Sequence, residues 1–354
     1  MHNVVTNFSH LERNTMKKHL IAAAALATLS TVAFAQSATV YGIFDLSMTR
    51  TSNINAAGQS QTSLTDAVWM PSVFGLTGSE DLGGGMKATF NLESDVNVDR
   101  GAFSGASGGK LFGRKSNIAI SGGFGELKLG KDIDQIFLQG FIDNVRNSHS
   151  SSGFIAHAVA TNAGLDTETV FTENMIRYTT PSVGGVKAAV QRRMGEQAGD
   201  SGKNSSTSVL VTYANGGLTL AGGFKEMESL TNAKTELSYV GATYQLGAVR
   251  LSATHHKTQF KTTGAADVKT TEFGVGYAVS PKLTAAVNYV SLEQGAAEGD
   301  VTSASLKYAL SKRTSLWTLV SRTNNDGYAV FGGQYLHSPA KDGTSTSVGI
   351  THSF

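Results

Sequence analysis

The chain has 354 residues, no cysteine, 40 glycines and four prolines, and only 16% of its residues are charged. Glycine stands above the ~7% usual in soluble domains and charge below their ~25%. A disulfide framework and a thiolate metal site are excluded, and a formal net charge of +2 offers no basic surface for nucleic acid.

In chain order, residues 16–35 come first. They read MKKHLIAAAALATLSTVAFA, with two lysines and a histidine, an apolar run from Leu20 to Leu29, and Ala33-Phe34-Ala35 before Gln36. This is the layout of a secretory signal peptide with a small-x-small cleavage site. The apolar run is shorter than the ~20 residues a membrane-spanning helix needs. Residues 1–15 form an upstream extension with no evident role, Met16 is the expected start, and 36–354 is the expected mature domain. Removing 1–35 leaves 26 basic and 26 acidic residues, a neutral mature chain.

Beyond Gln36 the dominant pattern is period two. In KATFNLESDV (87–96), Ala88, Phe90 and Leu92 oppose Lys87, Thr89, Asn91, Glu93 and Asp95. In EFGVGYAV (272–279), Phe273, Val275, Tyr277 and Val279 alternate with Glu272, Gly274, Gly276 and Ala278. In KLTAAVNYV (282–290), Leu283, Ala285, Val287 and Tyr289 alternate with small or polar residues. Each reads as a strand with one apolar face and one small or polar face. Tight breaks fall at 79–85, 121–125, 181–185, 214–217, 245–248, 280–282 and 311–314. Longer polar breaks fall at about 51–65, 100–110, 132–171, 196–204, 229–233, 260–268, 294–299 and 324–343. Seven short and eight long connections join sixteen strands.

Short turns alternating with long loops are expected of an outer-membrane barrel. A soluble β-sandwich would need crossovers between sheets, and no fixed repeat supports a solenoid. The predicted fold is therefore all-β: a transmembrane antiparallel β-barrel of 16 strands, apolar side out, with a lumen wide enough for water. The chain ends VGITHSF, with Val348, Ile350, His352 and Phe354 on one face. Closure requires the last strand to pair with the first, so this end is expected to be ordered and its aromatic to sit in the interfacial girdle.

No catalytic pattern emerges. There is no G-x-S-x-G, His255 and His256 point to opposite faces of one strand, and His149 and His157 are isolated in the third long break. No metal or cofactor is expected. That third break, 132–171, far exceeds ordinary loop length and holds the apolar patches IFLQGFI (136–142) and SGFIAHAVA (152–160). Folding onto the inner wall would bury them and bring Asp132, Asp134 and Asp143 near the narrowest section.

The segments TVYGIFDLS (39–47), SVFGLTGSEDLGGGMKATFNLE (72–93), LFGRKSNIAISGGFGELKLGKD (111–132), ENMIRYTTPSVGGVKAAV (173–190) and the closing VGITHSF together resemble the trimeric general porins of β-proteobacteria. The resemblance runs from first strand to last. It implies a sixteen-stranded barrel, a homotrimer embedded among outer-membrane lipid and lipopolysaccharide, and a third loop folded into the lumen. It also implies that the terminal Phe354 is read by the barrel-assembly machinery. The pore constriction would then set a basic wall against the acidic loop. Arg177 alternates with Met175 and Thr179, away from Ile176 and Tyr178, and Lys87 has lumen parity. Arg114 matches the family's wall arginine, although Ile118 and Ile120 share its face, and Lys131 stands where the family usually has an arginine. The family's further wall arginine is replaced by Val73, which weakens any anion preference.

The expected function is a passive, water-filled channel for small hydrophilic solutes and ions in the cell outer membrane. The alternatives are a substrate-selective channel, which would show an aromatic ladder in the lumen, and a structural or adhesive surface barrel, which would show long sticky outer loops. An enzyme ranks last.

Overall fold

The computed structural model describes residues 37–103, 109–145, 170–326 and 341–354. The segments expected to be the signal peptide (16–35) and upstream extension (1–15), and the 152–160 patch, lie outside these residues. Strand β1 is Ser37–Thr51, and β2 has two pieces, Gln61–Asp66 and Val73–Gly83. There follow β3 (Met86–Asn97), β4 (Lys115–Gly122), β5 (Gly125–Ile133), helix α1 (Gln135–Ile142), β6 (Phe171–Thr179) and β7 (Val186–Arg193). Next come β8 (Ser205–Asn215), β9 (Leu218–Glu228), β10 (Lys234–Leu246), β11 (Val249–Phe260) and β12 (Val268–Ala278). The last four are β13 (Leu283–Gln294), β14 (Ala297–Ala309), β15 (Thr314–Asp326) and β16 (Gly343–Ser353).

Each strand pairs antiparallel with its chain neighbours, and β1 pairs with β16 from Ile43↔Ser353 to Thr51↔Ser345. The sheet is thus a closed ring of sixteen strands with no free edge, the condition for satisfying backbone groups in hydrocarbon. All seven predicted tight turns are present at one end, from the Gly83–Met86 turn to Ser311–Thr314. Two of the longer connections differ from expectation. The 294–299 break is a two-residue turn, with Gln294 paired to Ala297 and Gly295 at φ 62°. The 51–65 break is cut short because Gln61–Asp66 pairs with Leu46–Thr51. Both stretches are polar, and at the barrel rim a strand wets both faces, so polarity there does not distinguish strand from loop.

The burial pattern inverts that of a soluble protein. Phe273, Val275, Val287, Val348 and Ile350 are exposed on the outer face, while Glu272, Asn288, Ser321 and Thr323 are buried on the inner one. Apolar side chains this exposed on a continuous band have lipid as their only favourable solvent.

Phe354 completes the ring. Its backbone exchanges both hydrogen bonds with Gly42, at 3.0 and 3.2 Å, and its ring meets Phe44 edge-on at 5.3 Å. Gly42 is required by this seat, because a Cβ there would overlap the Phe354 ring and stand 2.9 Å from the Val73 carbonyl oxygen.

Two elements lie on the inner wall. Helix α1 starts at Asp134, whose side chain accepts from the backbone N–H of Ile136 and Phe137, an N-cap. Its residue Ile136 is fully buried with Leu210, Ala221, Leu237 and Tyr239, all on inner faces of β8, β9 and β10. The second element went unrecognised in the sequence. Residues 67–72 leave the ladder between the two pieces of β2 and pack Val68 and Trp69 on Trp317 and Leu319 of β15. The Trp69 N–H donates to Asp45 at 2.8 Å, and the Trp317 indole N–H donates to the same carboxylate at 3.0 Å.

Candidate functional site

Many of the charged residues on the inner face fall into three linked groups that run round the ring from β3 to β12. The first is built where β3 meets the start of β4. Arg114 donates from Nε to Glu93 at 2.7 Å and from Nη1 to Asp95 at 2.8 Å. Lys115 Nζ reaches the other oxygen of Glu93 at 2.9 Å, as does the Tyr41 hydroxyl at 2.7 Å. The guanidinium also lies over the Phe171 ring, 5.2 Å from its centroid. The parity conflict at Arg114 has a simple resolution. Strand β4 begins one residue later, at Lys115, so Arg114 is outside the alternation that turns Ile118 and Ile120 outward.

The second group joins β5, β6 and β7. Arg177 is buried on the inner face, while Ile176 and Tyr178 are exposed on the outer one. Its Nε and Nη2 donate to Gln191 Oε1 at 2.8 and 2.6 Å, and Nη2 also to the Ile133 carbonyl at 2.7 Å. Nη1 reaches Asp132 Oδ2 at 3.3 Å, and Lys128 Nζ meets the same oxygen at 2.9 Å. Asp132 is at the end of a strand, not in the loop, and a bulge in the β5–β6 ladder at Gly130/Asp132 sets its direction.

The third group anchors α1. Asp134 caps the helix and accepts from Lys225 Nζ at 2.9 Å, both side chains fully buried. At the other end, Asp143 accepts from Gln139 Nε2 at 3.1 Å and from the Tyr239 hydroxyl. Asn144 continues the contact to Glu272, which also accepts from Asn288. The wall beneath is shaped for this approach: a Cβ at Gly241 would overlap the Tyr239 hydroxyl and come within 2.5 Å of Asp143 Oδ2.

Five of the seven predicted constriction residues therefore lie in these groups: Arg114, Arg177, Asp132, Asp134 and Asp143. Lys87 does not join them. It is exposed beside the β2–β3 turn, six residues from Glu93 along β3, or about 20 Å. Lys131 also stands apart, because the bulge turns it to Glu173, 3.3 Å away, where Lys110 is 3.7 Å from the same carboxylate. The groups depend on residues that the sequence does not single out: Lys115, Lys128, Lys225, Gln191 and Tyr239. Lys225 does carry a signal, since it shares inner parity with Ala221 and Gly223 of β9, but its partner depends on where α1 lands. Acid and base within each group are in direct contact, each strengthening the other through charge-assisted bonds.

Comparison with known proteins agrees with this geometry. The model of the Gram-negative porin family matches residues 22–328. Outer membrane porin protein 32 of Delftia acidovorans is 30% identical, over 96% of this chain and all of that protein. Major outer membrane protein P.IB of Neisseria meningitidis serogroup B is 26% identical, over 90% of this chain and 98% of that one. Among solved structures, the anion-selective porin from Comamonas acidovorans superposes with a TM-score of 0.79 at 26% identity, covering 90% of this chain and all of that one. A closed sixteen-stranded ring with an apolar outer band, a polar interior and these relatives makes the chain a member of the Gram-negative porin family, located in the cell outer membrane.

Proposed function

We propose that this porin is a homotrimeric, weakly charge-selective channel, narrowed by α1 from one side and by residues 67–72 from the other. Passive diffusion of small hydrophilic solutes through a water-filled bore is the function of the fold and family. The observation that carries it is the inversion of polarity, with Glu272 and Asn288 buried inside and Phe273 and Val287 exposed outside. Weak selectivity is supported by the pairing of Arg114 with Glu93 and Asp95 and of Arg177 with Asp132, together with Val73 in place of a wall arginine. The Comamonas relative is named an anion-selective porin, and fewer uncompensated cations here reduce that preference.

Export by residues 16–35, recognition of Phe354 by the barrel-assembly machinery and contact with lipopolysaccharide complete the proposal. A planar-bilayer recording of the purified protein tests it. We expect stepwise conductance in multiples of three and a small reversal potential under a salt gradient. Replacing Arg114→Ala together with Arg177→Ala leaves Glu93, Asp95 and Asp132 undercompensated and should shift permeability toward cations. An unchanged reversal potential would remove both arginines from the constriction.

A further inference from the structure

Between the inner wall of β1–β3, residues 67–72 and α1 lies a cavity of about 300 Å³. Its walls are chiefly apolar and include Met70, Val73, Ile133, Phe137, Phe141 and Phe171. These side chains are on the inside of a wet bore, where no lipid can cover them. An apolar recess with a few polar groups at its edge is the usual form of a small-molecule site, and its size is at the lower end of that class.

The polar edge decides the chemistry. Glu93, Asp95, Arg114 and Lys115 line the recess and are bonded to one another, two carboxylates against two cations. A charged ligand would have to break one of these pairs to make its own. Asp66 and Ser72 also line it; Ser72 Oγ donates to Asp66 Oδ1 at 2.7 Å, and the Val98 N–H reaches that oxygen at 3.3 Å. They leave acceptor capacity for a hydroxyl donor.

We infer that this recess is a binding site for uncharged solutes with a compact ring at one end and hydroxyl groups at the other. The ring packs among Met70, Val73 and the three phenylalanines, and the hydroxylated end stays at the polar edge. The inference rests on the channel reading and adds to it a class of solute that the bore retains rather than merely passes.

Phenyl β-glucoside is the test probe, with methyl β-glucoside as the ring-free control. In planar bilayers the phenyl compound should interrupt the current with saturating dependence on concentration, and the methyl compound should not. Val73→Arg places a guanidinium in the recess, where Asp95, its cross-strand neighbour, can pair with it. It should weaken the block by roughly tenfold or more. Met70→Glu, outside the strands, should do the same and covers the case in which the first variant does not assemble.

The chain has two tryptophans, and Trp69 adjoins Met70. Their emission in detergent should therefore shift saturably with the phenyl compound, whether or not the protein conducts. A saturable shift without stepwise conductance would sink the channel reading and leave the site standing. Equal responses to the two glucosides, block unchanged in both variants, or tighter binding of benzoate or phenethylammonium would overturn the site.

Discussion

At Asp134 a single carboxylate does three things: it caps α1, accepts from Lys225 and lies within reach of Gln191 Nε2 at 3.4 Å. Replacing it by asparagine keeps a capping oxygen but removes the carboxylate charge 2.9 Å from the buried Lys225 ammonium. Removing one partner of a buried pair costs about 3–5 kcal/mol. We expect Asp134→Asn to loosen the first turn of α1 and raise open-channel current noise. Asp134→Asn combined with Lys225→Gln should recover most of the quiet state. If the double variant is as noisy as the single one, the pair is not what holds the helix. Neither partner announces this role in the sequence. Asp134 reads as one of several loop acids, and Lys225 as one of many lysines on alternating strands.

Among the elements, the strands and tight turns were legible because both signals are local. Alternation turns Val275 and Tyr277 one way and Gly274 and Gly276 the other, whatever lies beyond. Signals failed where alternation stops. Arg114 precedes its strand, Lys131 sits at a bulge, and residues 67–72 leave the ladder while remaining as apolar as a strand. Which wall α1 approaches is likewise a tertiary outcome, written only faintly in inner-face glycines such as Gly241. The seat of the terminal aromatic gives the element-scale test. Gly42→Val would drive a branched side chain into the Phe354 ring, so β16 should close on β1 less readily. We expect several-fold lower yield of folded barrel, read from the mobility difference between unheated and boiled samples. Val40→Ile, on the same face two residues away, should have little effect. Equal yields from both variants would show that the seat does not matter for closure.

The whole molecule is a tube whose outside and inside obey opposite solvents, and its handling in solution follows. Without detergent the band carrying Phe273, Val275, Val287 and Ile350 must find another cover. The mature protein should therefore aggregate in plain buffer, and sedimentation of a monodisperse species there would refute the membrane assignment. The pairing of β1 with β16 has a further consequence. Hydrogen bonded to its neighbours all the way round, the wall has no intrinsic beginning, and the backbone at Phe354 is already next to Gly42. A short linker from residue 354 back to 37, with new ends cut at the two-residue outer turn after Gln294, should yield a circular permutant of unaltered conductance.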